Sequence, residues 1–134
     1  MIMNTMKNAE KLLAETNEKR ARMRKARLSL TEEVRQIMKR GQTEKLYWKA
    51  PVIDLMEALY YVYEEGELTD EYGQPLSFLA LVRSCSKLLH VKLPANPYCM
   101  AQRGKQRKGV KHQNFMTRYL DSIRMSIYIT SCGD

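Results

Sequence analysis

The stretch LSFLALVRSCSKLLHVKLPANPYCMAQRGKQRKGVK, residues 76–111, carries the reading of this chain. Leu76, Leu79, Ala80, Val82, Cys85, Ser86 and Leu89 recur at the three- and four-residue steps of one helical face, so a helix begins near Pro75 or Leu76 and runs to His90. Val91-Lys92-Leu93-Pro94-Ala95 reads as a turn, because Pro94 and Pro97 bias the residues before them away from helical torsions. Asn96 followed by Pro97 is a cap and first-turn pair for a second helix. That helix runs to about Gln102 or Lys108, with Gly104 and Gly109 leaving its end open. Helix, proline-bearing turn, capped helix and basic run together make a helix-turn-helix-like element. Its turn is longer than the usual, roughly three- to four-residue connection.

Outward from this stretch the chain stays helical. Residues 51–65 are strongly periodic, with Ile53, Met56, Leu59, Tyr60 and Tyr63 on one face and Val52 and Leu55 widening it. Pro51 suits the first turn of that helix and Gly66 ends it, while Asp54 and Glu57 read as its polar face. Residues 66–75 form an acidic, turn-rich loop, and a last helix is expected from about His112 to Ile129 on Phe115, Tyr119, Leu120, Ile123 and Ile127. At the other end, residues 4–27 read as a helix on Met6, Ala9, Leu12, Leu13 and Thr16, whose apolar face is lost from Glu18 to Arg27. A further helix is expected from Ser29, capped with Glu32 in a capping box, through Leu30, Val34, Ile37 and Met38 to a stop at Gly41. Residues 42–50 read as a linker in which Tyr47 and Trp48 anchor the next helix. No strand is convincing, short ribbons near Val91 or Val110 staying open, and no internal repeat is present. The expected class is all-α: a basic N-terminal helical arm over 1–41, a small helical domain with a helix-turn-helix-like element over 42–130, and a frayed tail over 131–134.

Charge says more about partners than about fold. The 134 residues carry a formal net charge of +8. Residues 1–40 hold eleven basic and five acidic side chains, residues 41–96 five and eight, and residues 97–124 seven and one. Two positive segments therefore flank a slightly acidic middle, the pattern of a scaffold with two contact surfaces. No run of eighteen apolar residues spans a membrane, and no apolar stretch with a cleavage site opens the chain, so the expected compartment is the cytoplasm and no membrane partner is expected. Cys85, Cys99 and Cys132 form no CxxC pair and lie at no zinc-ligand spacing from His90 or His112; they read as ordinary cysteines, Cys85 in the core. Catalysis is not expected: His112 has no identifiable carboxylate to orient it, and Gly104 and Gly109 lack the GKS/T element of a phosphate loop. No cofactor, metal or small-molecule substrate is implied.

The second helix of the quoted stretch offers Asn96, Tyr98, Gln102, Arg103, Lys105, Gln106, Arg107 and Lys108, followed by Lys111. Arginine can grip guanine, and glutamine adenine, through two hydrogen bonds in the major groove, whereas lysine engages phosphates. Arg103 and Arg107 are the expected base contacts, and Lys105, Lys108 and Lys111 the phosphate contacts.

From Trp48 to about Met125 the chain resembles the C-terminal domain of the RteC family, regulators carried on Bacteroides conjugative transposons. The matching pieces are Trp48, Asp54-Leu55-Met56-Glu57-Ala58-Leu59-Tyr60 and Glu65-Gly66, the helix near Leu76-Leu79, and the Val91-Lys92-Leu93 turn with Tyr98. The Arg103–Lys108 basic run and Phe115-Met116-Thr117-Arg118-Tyr119-Leu120 with Ile123 complete them. The resemblance implies a helical domain whose helix-turn-helix binds promoter DNA to control genes of a mobile element, with Tyr98, Gln102, Arg103, Lys105, Arg107 and Lys108 in the DNA-contacting segment. The chain differs from the family in its shorter segment before Trp48 and in the glycines at 104 and 109.

The N-terminal basic band supplies Arg20, Arg22, Arg24, Lys25 and Arg27. It reads as an arm along the DNA, as the face of a helix that pairs with another copy in a homodimer, or as a solvated helix. Tyr60, Tyr61, Tyr63 and Tyr72 read as packing rather than base-stacking residues. The expected partner is double-stranded DNA; a protein-interaction module of a mobile element and an RNA-binding protein are the alternatives.

Overall fold

A computed structural model describes residues 2–109, 113–121 and 124–131, with side chains from residue 7 onward. The architecture is mainly α-helical. Its elements are α1 (Ile2–Arg40), β1 (Tyr47–Trp48), α2 (Val52–Glu65), α3 (Phe78–Leu88), α4 (Pro97–Lys105), α5 (Phe115–Leu120), a 3-10 turn (Met125–Tyr128) and β2 (Ile129–Thr130). Among the described residues no helix is long and apolar enough to cross a membrane.

Helix α2 is the axle of the fold. It packs against α1, α3, α4 and α5, and its residues 54–59 are all buried. The middle of a helix surrounded in this way has no solvent face to give to polar groups, so Asp54 and Glu57 are 1% and 0% exposed, not the exposed polar face that their three-residue spacing suggests. The helix begins after Pro51, which occupies the N-cap rather than the first turn, and ends at Gly66, whose φ of 66° is the left-handed value glycine adopts freely.

The expected break between residues 27 and 29 is absent: α1 runs unbroken for 39 residues, about 58 Å at the α-helical rise. Nothing in Arg27-Leu28-Ser29-Leu30 opposes helix, and Ser29 does not cap; its hydroxyl lies 3.0 Å from that of Tyr119. Ala26, Leu30, Val34 and Ile37, at steps of three and four, seat the second half of α1 in the core. Residues 7–22 are exposed throughout, so the first half projects beyond the body as an arm.

Helix α3 starts at Ser77, whose side chain accepts from the Ala80 N–H at 3.1 Å, rather than near Pro75. Its C-terminal end is closed by His90 at φ 56°, with Val91 N–H donating to Ser86 O at 2.8 Å, a Schellman ending with histidine in glycine's usual place. Helix α4 is capped by Asn96, which accepts from Cys99 N–H at 3.1 Å, has Pro97 in its first turn and ends at Lys105.

The expected long last helix is broken into α5, the 3-10 turn and β2. Ile127, placed on an apolar face by the sequence reading, is 64% exposed. The expectation of no strand is also corrected on a small scale: β1 and β2 pair antiparallel, Tyr47 with Thr130 and Trp48 with Ile129. This clasp closes the chain on itself, since Trp48 N–H also donates to Leu89 O at 3.1 Å and Lys49 N–H to Tyr128 O at 2.7 Å. Trp48 and Cys85 are core residues, as expected. Of the tyrosines, Tyr61 is buried, Tyr63 lies 41% exposed and Tyr72 is 81% exposed in the acidic loop. Residues 110–112, which include Val110, Lys111 and His112, Ile123, and residues 132–134 lie outside the described residues.

Candidate nucleic-acid interface

Helix α4 owes its position to α2. Gly104 is buried, and a Cβ there would lie 3.1 Å from Glu57 Oε1 and 3.2 Å from both Glu57 Cβ and Ile53 Cγ1. The glycine expected to interrupt this helix is instead the point at which α4 approaches α2 closely. Beneath it, two buried carboxylates organise everything that follows. Arg107 donates from Nη2 to Asp54 Oδ1 at 2.6 Å, reaches Glu57 Oε1 at 3.4 Å, and donates from Nε to Gly104 O at 3.3 Å. Arg118 Nη2 lies 2.5 Å from Asp54 Oδ1. Burial opposes the Arg118 charge, but the adjacent Asp54 carboxylate more than offsets it and holds the guanidinium above its ordinary pKa. Glu57 accepts from the N–H groups of Phe115 and Met116, both at 2.9 Å, and so satisfies the free donors at the start of α5. Asn114 joins the two helices: it caps α5 by accepting from Thr117 N–H at 2.7 Å, and its amide donates to Lys105 O at 3.0 Å.

This framework sorts α4 into three stripes. Ala101 and Gly104 are buried on one stripe, Gly104 against Glu57 and Ile53 of α2. Tyr98, Gln102 and Lys105 form a flank over aromatic rings, Tyr98 edge-on to Tyr60 at 5.7 Å and Lys105 Nζ 4.7 Å above the Tyr60 ring and 3.6 Å from Glu64. Gln102 is half-buried beside Tyr60. Cys99, Arg103 and Gln106 face outward and are exposed, with Asn96 at the head of the same stripe. Lys108 is exposed beyond the helix, where it forms an isolated bridge with Gln113.

The sequence-predicted residues therefore divide. Arg103 keeps an outward guanidinium with no ion pair among the described residues. Arg107, expected as a base contact, is turned inward and tied to Asp54 and Glu57, because two buried carboxylates attract a nearby cation more strongly than solvent does. In the arm, Arg20, Arg22, Arg24 and Lys25 are exposed, but Arg27 is taken up by Glu65 at 2.5 Å. Glu65 and Glu64 are consecutive, and they hold Arg27 of α1 and Lys105 of α4 respectively. The two positive segments of the sequence thus meet at the C-terminal end of α2.

Asp54 and Glu57 are the residues that sequence reasoning missed. The signal was present: Val52, Ile53, Leu55, Met56, Ala58 and Leu59 leave α2 apolar all round, and a carboxylate inside such a helix must be buried and paired. Among the described residues no cluster of three or more His, Cys, Asp or Glu side chains could hold a metal ion. No protein-family model, curated protein or solved structure matches the chain.

Proposed function

We propose that this chain binds double-stranded DNA in a sequence-dependent way, as a non-catalytic regulator of a mobile genetic element of the RteC kind. The observation that carries the reading is the outward stripe of α4. Asn96, Arg103 and Gln106 stand on one exposed face of a short capped helix whose opposite face is fixed to α2. A helix supported from behind and offering arginine and glutamine outward suits the major groove, where these two side chains distinguish guanine and adenine. In this reading Arg103 is the first base contact and Gln106 the second, while Arg107 supports the helix from within. Lys108 and the exposed arm cations Arg20, Arg22, Arg24 and Lys25 add phosphate contacts, which supply affinity without sequence preference.

Fluorescence anisotropy with duplexes from DNA upstream of neighbouring genes and with random duplexes tests this. Arg103→Ala is expected to lower the preference for the favoured duplex by about 10- to 100-fold, the range for removing one bidentate grip on a base. Full retention of that preference by a folded Arg103→Ala protein contradicts the assignment.

The arm supports a second reading beside the first. Leu12 and Leu13 are 64% and 61% exposed on its projecting half, a surface that suits packing against another helix, such as a second copy of this chain.

A further inference from the structure

Away from α4, three cations from two distant parts of the sequence converge on one groove. Arg22 and Lys25 lie three residues apart on α1, with Ser29 one turn further along the same face, and Arg124 enters from the segment after α5. With Tyr119 and Leu120 they line an open groove of about 240 Å³ between α1 and α5. Arg124 is not a loose surface residue: its guanidinium lies 5.2 Å from the centre of the Tyr119 ring. Tyr119 is itself fixed, 2% exposed, with its hydroxyl 3.0 Å from Ser29 Oγ and donating to Glu33 Oε2 at 2.5 Å. Glu33, beside the groove, is thereby engaged by Tyr119 and by Met125 N–H at 3.5 Å, and among the described residues no ion pair joins a carboxylate to Arg22, Lys25 or Arg124. The charged lining thus consists of guanidinium and ammonium donors, the groups that match phosphate oxygens.

We propose that this groove, held open by Arg22, Lys25 and Arg124 over Tyr119, receives phosphodiester groups of the same DNA that α4 reads; the proposal rests on the DNA-binding reading above. The spacing favours one continuous duplex. Helix α5 is capped by Asn114, which is tied to Lys105 at the end of α4, and reaches the groove at Tyr119 and Leu120. Its six residues span about 9 Å at the α-helical rise. The end of α4 and the groove are therefore separated by one short helix, a distance that one duplex seated on α4 spans. Phosphate contacts of this kind fix the register of a protein on the duplex and carry no sequence information.

The test compares salt-dependent anisotropy for the full chain, for Arg22→Ala/Lys25→Ala/Arg124→Ala, and for a charge-matched control, Lys39→Ala/Lys45→Ala/Lys92→Ala, on favoured and random duplexes. The groove variant is expected to lower the slope of log affinity against log salt by about 2–3, near 0.9 for each phosphate that is no longer neutralised. Its preference for the favoured duplex over the random one is expected to stay unchanged. A groove variant indistinguishable from the control, in a chain that still binds DNA, overturns the groove and leaves the α4 reading standing. An unmodified chain that binds no duplex even at low salt overturns both. If the triple variant loses its helical circular dichroism, Arg124→Ala alone serves, with an expected slope change of about 1.

Discussion

At the scale of single residues, the fold depends on two carboxylates that a hydropathy pattern hides. Glu57 accepts two backbone N–H groups of α5 and lies beside Arg107, on the fully buried stretch of α2 from Asp54 to Leu59. Glu57→Ala leaves those donors without their acceptor and removes one of the two carboxylates facing Arg107, and is expected to destabilise the protein by about 3–5 kcal/mol, the cost of breaking a buried charged pair. Urea unfolding monitored by circular dichroism measures this, and a loss below about 1 kcal/mol, the level of an exposed pair, contradicts the role. Cys85 makes a different point. Burial alone pushes its thiol up to about 12, so the reactive thiolate is scarce at neutral pH. In a Cys99→Ser/Cys132→Ser background, iodoacetamide at pH 8 is expected to modify Cys85 only as fast as the protein unfolds; labelling at the rate of a free thiol contradicts this. The linkage has a sign: the folded value is raised, so the effect on stability is nil below about pH 9, where both states keep the proton, and the folded state loses stability as pH rises above it. The core place of Cys85 was legible from its helical spacing. The burial of Asp54 and Glu57 was not read, because their mutual spacing was weighed without the apolar residues on every side of them.

At the scale of elements, the helices with good punctuation were legible and those without it were not. Asn96-Pro97 marks the start of α4 and Gly66 the end of α2 at the residues where the structure has them. The expected boundary at Ser29 failed because a capping sequence within a stretch of good helix formers has nothing to break the helix before it; the result is a single α1 whose second half is anchored by Leu30, Val34 and Ile37. The last helix failed in the opposite direction. Its apolar spacing is real, but the Tyr47–Trp48 strand claims Ile129 and Thr130, a pairing across more than 80 residues that local periodicity does not report. Gly104 illustrates how an element is placed. Alanine favours a helix interior by about 1 kcal/mol over glycine. Here, though, its Cβ would press within 3.1–3.2 Å of Glu57 and Ile53. Gly104→Ala is therefore expected to destabilise by about 1–2 kcal/mol, the cost of overpacking exceeding the gain in propensity. A thermal melt that shifts upward contradicts the close approach of α4 to α2.

At the scale of the whole molecule, the sequence shows two positive segments around a neutral-to-acidic middle, and the structure adds where they meet. Glu64 and Glu65 at the end of α2 hold Lys105 and Arg27, joining the root of the arm to the end of α4. The charge split was legible from composition along the chain; which cations stay outward was not, since Arg103 and Arg107 lie only four residues apart and differ by the buried carboxylates beneath one of them. The central claim is that α4 reads duplex DNA through Arg103. Its most direct test is the anisotropy titration of the full chain and of Arg103→Ala on favoured and random duplexes across salt. The expected result is a steep loss of affinity with salt for both proteins, and a preference of about 10³-fold or more in the unmodified chain that falls sharply in the variant. Binding that ignores duplex sequence in both proteins, or no binding at low salt, contradicts it.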